Sequence, residues 1–271
     1  MDGNRKRPME LSQENITYEV LKRIGEGFRE AGNKEVWENG WGEIAEKIKK
    51  ENCPYGFNPN DLRPQYIKED VCRYKGKYQM LDYWAIDKEL RRNGFTFIKG
   101  NKIVELGCGT GINQIELAKI FFDIPLVAAD WVNASQEIIK EISKNIEHPI
   151  KPVNFNMATL EGWNDLEIDE NSCVLTVHAL EQISNWQPLF DKLVESKALC
   201  VHIEPFFEMY DDTEFDLLAK KYHDKREYFK GFLPAVAEME MQGKAEIIHS
   251  ERVHFGNRFH DSYSILVWKA I

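Results

Sequence analysis

The stretch NKIVELGCGTGINQIELAKIFF, residues 101–122, decides how the chain folds. Ile103, Val104 and Leu106 form the short apolar run of a strand buried in a parallel sheet. Gly107, Gly109 and Gly111 break that run, because glycine lets the backbone bend sharply and lets a ligand approach main-chain atoms that a Cβ would shield. Ile112, Ile115, Ala118 and Phe122 then recur at helical spacing. The stretch predicts strand, glycine turn and helix, half of a nucleotide-binding βαβ unit.

The dinucleotide fingerprint G-x-G-x-x-G would need its third glycine at position 112, which is Ile112. The spacing here is G-x-G-x-G, and Glu105 stands two residues before the first glycine. A carboxylate there repels a pyrophosphate and welcomes an ammonium, so a cationic ligand fits better than a dinucleotide. Glu105-Leu106-Gly107-Cys108-Gly109-Thr110-Gly111 resembles the first motif of the class I S-adenosylmethionine-dependent methyltransferases, and the likeness extends from about Lys102 to the C-terminus. An apolar run, Leu126 to Ala129, ends in Asp130, 23 positions beyond Gly107, near the distance expected of a ribose-binding carboxylate.

The resemblance implies a Rossmann-like α/β fold, with a seven-stranded, mostly parallel sheet in the order 3-2-1-4-5-7-6. It also implies S-adenosyl-L-methionine as cofactor, cradled by Glu105, Gly107, Cys108, Gly109, Thr110, Gly111 and Asn113. Asp130 would hold the ribose, Trp131 would cover the adenine, and Asn156 and Met157 would fall at the adenine amino group. The family usually has an acid where Asn156 stands, although an amide oxygen can also accept. An aromatic just before the core often touches the cofactor in this family, and Tyr78 is the candidate.

At 271 residues and 43% hydrophobic, the chain can bury one large core, alone or with an added cap. Its net charge of −10 argues against a general nucleic-acid or anionic-membrane surface. With no membrane-length apolar run and no signal-peptide stretch in MDGNRKRPMELSQ, the expected location is the cytoplasm. Cys53, Cys72, Cys108, Cys173 and Cys200 show no metal-ligand spacing and read as free thiols, so no metal is expected.

Residues 1–100 read as an N-terminal helical cap on the core of residues 101–271, with a purely structural appendage as the alternative. Ile16, Val20, Ile24 and Phe28 step by four, and Trp37, Trp41, Ile44 and Ile48 make a second stripe. Cys53 to Arg63 is loop-like, and a third helix is expected over Tyr78 to Arg92. Asn133 and Gln136 suggest a capping box for the helix after Asp130. Pro149 and Pro152 bracket a short strand suited to a sheet edge. Cys173–Val177 and Lys197–Ile203 supply the next two strands. A helical insertion at about 206–243 and closing strands around Ile247 and Tyr263–Trp268 follow, with Gly256-Asn257 as the turn between them.

Polar groups at the carboxyl ends of central strands are candidates for chemistry. His178 follows the fourth strand and could act as general base, or simply hydrogen-bond the cofactor or a neighbouring backbone. Glu181 could orient it or cap a turn, and Glu204, after the fifth strand, could face substrate or solvent. The segment ERVHFGNRFHD, residues 251–261, concentrates donors in an acidic chain and suggests an anion-binding spot at Arg258 and His260, with ion pairing to Glu251 and Asp261 as the alternative. Tyr210 is a further substrate-side candidate. The expected activity is methyl transfer to oxygen or nitrogen of a polar, anionic small molecule such as a sugar or phosphorylated metabolite. The alternatives are a protein or peptide methyltransferase and a non-catalytic cofactor-binding regulator.

Overall fold

A computed structural model describes residues 12–28, 34–51, 71–146 and 148–271. The expected loop at Cys53–Arg63 and the N-terminal segment up to residue 11 lie outside the described residues.

The core is a seven-stranded sheet built on β3 (Lys102–Leu106), β4 (Leu126–Asp130), β5 (Ile150–Asn154), β6 (Ser172–Val177), β7 (Leu199–Glu204), β8 (Ala245–Arg252) and β10 (Ser264–Ala270). Its spatial order is β5-β4-β3-β6-β7-β10-β8. The first five are parallel, and β10 runs antiparallel to both β7 and β8. With β3 counted as the first core strand, this is the order 3-2-1-4-5-7-6. Pro152 sits in β5 at the sheet edge, where its missing N–H costs no ladder bond.

Strands buried on both faces make three layers. On one face α3 (Tyr83–Phe95), α4 (Ile112–Ile120) and α5 (Asn133–Asn145) cover Ile103, Ala128, Leu175, Val201 and Ile265. On the other, α6 (Gln187–Ser196) and α8 (Phe232–Met241) cover Val104, Val127, Val174, Cys200 and Trp268. Phe122, expected on the buried stripe of α4, falls beyond its end and is exposed.

The N-terminal segment is less uniformly helical than its apolar stripes suggest. Helices α1 (Gln13–Glu26) and α2 (Lys34–Glu51) are present, with Ile16, Val20 and Ile24 buried on α1. The expected helix from Tyr78 is corrected: β1 (Val71–Tyr74) and β2 (Lys77–Met80) form a hairpin, and α3 begins only at Tyr83, capped by Asp82. Lys75 and Gly76 turn it with positive φ. The hairpin pairs with β9 (Phe255–Gly256), giving a small sheet β2-β1-β9, so Gly256 is a paired strand residue rather than a free turn.

In the inserted region, α7 (Glu214–Arg226) packs with α1, whereas α8 buries Phe232 and Val236 beneath the sheet and leads into β8. Only the part before α8 is therefore extra to the layered core. The expected capping box of α5 is also corrected. Its N-cap is Val132, and the amides of Asn133 and Ala134 are capped by Glu38 of α2 at 2.9 and 3.0 Å.

Candidate functional site

The glycine turn between β3 and α4 has all three glycines at positive φ: 76° at Gly107, 52° at Gly109 and 71° at Gly111. A Cβ on Gly107 would lie 2.4 Å from the Ala179 Cβ, and one on Gly111 would lie 2.4 Å from the Ile139 Cδ1. At Gly109 the space is open until the Trp41 indole of α2, 3.6 Å from where a Cβ would stand. The first and third glycines serve close packing, and the middle one leaves a bare backbone surface beneath an aromatic ring.

Asp130 ends β4 beside this turn. Its carboxylate accepts from the Gly109 amide at 2.9 Å and the Val132 amide at 3.1 Å, and burial raises its pKa to about 6 against those bonds. Trp131 is half-buried, with the Lys34 ammonium 6.0 Å from its ring centre. Asn156 turns its amide oxygen back to the amides of Ala158 and Thr159, while Met157 reaches to 3.1 Å from the Cβ position of Gly107. Thr110 is buried in the turn, and the Cys108 thiol, raised by burial and by Asp130, stays protonated as a packing group.

Glu105 does not present a free carboxylate to this surface. Asn113 and Gln114, in the first turn of α4, each donate to one of its oxygens at 2.6 Å. Asn113 in turn accepts from Arg91, Arg91 pairs with Asp87 at 3.0 Å, and Asp87 accepts from the Tyr263 hydroxyl at 2.6 Å. This buried chain joins β3, α4, α3 and the residue just before β10. Burial raises the Glu105 pKa to about 7, opposed by its amide donors. Asn113 is thus a relay in that chain. The i, i+4 spacing of Asp87 and Arg91 was the only sequence trace of it.

At the end of β6, His178 adopts φ of +52°, an unusual state for a residue with a Cβ. Its Nδ1 meets Glu181 Oε1 at 2.9 Å, and its ring packs edge-on against Tyr263 and His260, 5.1 and 5.5 Å between centres. Burial lowers the His178 pKa, with Glu204 and Asp87 opposing. Glu204 ends β7 completely buried, and both its oxygens accept from the backbone amide of Ala179 at 3.1 Å. Leu180 and Glu181 donate to it from 3.1 and 3.4 Å. Expected as a group facing substrate, it is committed to backbone. Burial raises the pKa of both Glu181 and Glu204, and two adjacent carboxyls in such a place share a proton.

The candidate substrate residues divide. His260 is the hub of a ring cluster, with Tyr222, His223 and Tyr228 at 4.9, 5.2 and 5.9 Å, and its Nδ1 lies 3.2 Å from His223 Nε2. Burial holds both imidazoles neutral, His223 near a pKa of about 3. Tyr210 is buried, accepts from the Asp261 amide at 3.0 Å and lies under the Arg252 guanidinium. Arg258 reaches outward to Glu19 of α1 at 3.5 Å. Arg252, the other strong cation of the turn, pairs with Asp216 at 2.6 Å and Asp261 at 2.7 Å. Arg73 of β1 joins the same two acids, at 2.9 and 3.2 Å. Tyr78 is likewise placed away from the glycine turn: it packs on Phe215 and the α1 stripe, and the N-terminal aromatic at the turn is Trp41.

The strand order, with an antiparallel seventh strand and a glycine turn after the first, settles the architecture. The fold is that of the class I methyltransferases. No family model matches the chain, and no curated protein matches it at a significant level. Solved structures with similar folds include the methyltransferase domain of bacterial CtHen1-C, at 12% identity over 68% of this chain and 97% of that one, with a TM-score of 0.49. The plantazolicin methyltransferase BpumL in complex with a triazolic desmethylPZN analog and SAH overlaps 96% of this chain and 99% of its own, at 10% identity and a TM-score of 0.45. The fibrillarin/Nop5p complex overlaps 72% of this chain and 85% of its matched chain, at 14% identity and 0.47. Likenesses this loose carry no argument about activity. No helix among the described residues is long and apolar enough to cross a membrane, and no metal-binding group of His, Cys, Asp or Glu occurs among them.

Proposed function

We propose that this chain is an S-adenosylmethionine-dependent methyltransferase acting on a hydroxyl or amine of a polar small molecule. The carrying observation is the placement of the His178–Glu181 pair. It stands directly beside Ala179, the residue against which Gly107 of the glycine turn packs.

The residues fit the cofactor. Gly109 leaves bare backbone beneath the Trp41 ring, and Asp130 ends the neighbouring strand with its carboxylate at the turn and the Trp131 ring next in sequence. When bound, S-adenosylmethionine supplies an activated methyl group on a sulfonium. The protein then has to align the acceptor and, where the acceptor holds its proton tightly, remove that proton. With Glu204 holding the proton of the carboxyl pair and Glu181 ionised, the bond from His178 Nδ1 to Glu181 places the imidazole proton on Nδ1 and leaves Nε2 with its lone pair, the tautomer a general base needs. The lowered His178 pKa keeps the ring neutral at physiological pH.

The environment of His178 favours a neutral acceptor over the anion suggested by the sequence. Arg73 and Arg252 are matched by Asp216 and Asp261, and Glu181, Glu204 and Asp87 are the acids nearest the imidazole. The one negative charge that Glu181 and Glu204 share beside the imidazole repels a second, and Arg91, the cation nearest by, is already paired with Asp87. Calorimetry with S-adenosylmethionine, followed by an assay for S-adenosylhomocysteine release with pooled neutral and phosphorylated metabolites, tests the reading. Turnover on a neutral hydroxylated or amine compound is the expected result. Absence of cofactor binding would overturn it, and binding without turnover on any pool would favour a regulatory protein.

A further inference from the structure

Glu204 was a candidate for direct chemistry, yet its carboxylate is spent entirely on the protein. Its oxygens gather the successive amides of Ala179, Leu180 and Glu181, the first short turn after His178. The strained residue lies immediately before that turn. His178 holds φ of +52°, and its own amide donates to Ile203 O at 3.2 Å, one residue before Glu204. A side chain with a Cβ is disfavoured in this conformation, so surrounding bonds must hold it there. Both ends of the constraint come from the end of β7.

The same turn carries Glu181, whose Oε1 meets His178 Nδ1. Its Oε2 is buried, and Glu181 interacts with the Glu204 carboxyl. The orientation of the imidazole, its tautomer and the placement of its partner acid thus all depend on one carboxylate. In a relaxed turn, residue 178 would return to an extended backbone and its ring would leave the edge of β6.

We propose that Glu204 is a positioning residue: its grip on the 179–181 amides holds His178 in the left-handed conformation and sets Glu181 against Nδ1, so that Nε2 faces the acceptor. This deepens the methyltransferase reading and rests on it for the meaning of Nε2, but the clamp itself can be measured without cofactor or acceptor.

The test is a double-mutant cycle on the full chain, read by thermal unfolding, with His178→Gly, Glu204→Ala and the pair. His178→Gly relieves the strained φ but also removes the ring and its bond to Glu181, so the readout is its coupling to Glu204 and not the sign of its own shift in melting temperature. Glu204→Ala should lower the melting temperature, and by clearly less when residue 178 is already glycine, because a relaxed turn has less need of the clamp. Strictly additive shifts would overturn the proposal.

A spectroscopic arm separates positioning from general support. Nitrogen shifts of the His178 imidazole, assigned by their loss in His178→Gln, should report Nδ1–H in the wild type and a tautomer mixture in Glu204→Met. That variant, of similar size but without an acceptor for the amides, keeps the arm available even where Glu204→Ala does not fold. An unchanged tautomer in Glu204→Met would also overturn the proposal. Failure of S-adenosylhomocysteine to bind the wild-type chain would instead remove the methyltransferase reading and leave the clamp result standing.

Discussion

The Trp41 indole of α2 lies over Gly109, 3.6 Å from where a side chain at that glycine would begin. A helix distant in sequence therefore roofs the part of the glycine turn that has no side chain of its own. Glu38, one turn earlier, fastens the same helix to the amides that open α5. If the roof contacts bound cofactor, Trp41→Ala should weaken S-adenosylhomocysteine binding by about 0.5–1.5 kcal/mol, the range for an aromatic contact beyond its area. A wild-type dissociation constant by calorimetry would mean that α2 swings clear of the ligand.

Asp130 ties the glycine turn to the end of β4 even without ligand, through Gly109 and Val132. Asp130→Ala should therefore act twice: cofactor affinity falls by about 1.5–3 kcal/mol, the usual range for hydrogen bonds to a charged group, and the ligand-free melting temperature falls as well. Calorimetry and a thermal scan read the two effects separately. An unchanged dissociation constant would remove the ribose assignment.

His178→Ala should lower kcat by about 10²–10⁴ while S-adenosylhomocysteine affinity stays close to wild type. Because burial depresses the imidazole pKa, the acidic limb of the wild-type rate profile should lie below the ordinary histidine value of about 6.5. A loss confined to cofactor affinity would assign His178 to binding.

Glu105 is fully buried with a pKa of about 7, above its ordinary 4.5. The folded state binds the proton more tightly, so the stability that Glu105 contributes is complete below pH 4.5 and is lost as pH rises through 7. The full swing is about 3 kcal/mol at 1.36 kcal/mol per pKa unit. Urea unfolding at pH 5 and pH 8 should show this decline in the wild type and a flatter profile in Glu105→Gln. Parallel profiles would count against it.

Arg73 is wholly buried between Asp216 and Asp261. Burial opposes ionisation of Asp216, but hydrogen bonds from Arg252 hold its pKa below the usual range. Arg73→Met should cost about 3–5 kcal/mol in urea unfolding, because it leaves a buried charge under-compensated. Arg258→Ala breaks a partly exposed pair with Glu19 and should change stability by less than about 1 kcal/mol. Comparable losses in the two variants would contradict the assigned burial of the Arg73 pairs.

Local signals determined much of this protein from sequence. Alternating burial need not be read where strands are apolar throughout, so Ile103–Leu106, Leu126–Ala129 and Cys173–Val177 were legible as parallel strands. The glycine spacing located the turn, and Asp130 and His178 were singled out because strand ends in such a sheet form its ligand edge. What the sequence could not give was pairing across long separations. Tyr78–Met80 reads as the start of a helix, and only the pairing of β1 with β9, some 180 residues on, completes the small sheet that holds it as β2. Glu38 caps α5, Trp41 rather than Tyr78 lies at the glycine turn, and Arg252 is neutralised by acids on α7 and before β10, all through contacts that no local pattern encodes. The same holds for Glu204, whose sequence context offers a free acid at a strand end. Only the meeting of β7 with the turn after β6 supplies the amides that occupy it, since a buried carboxylate must find donors wherever the fold brings them.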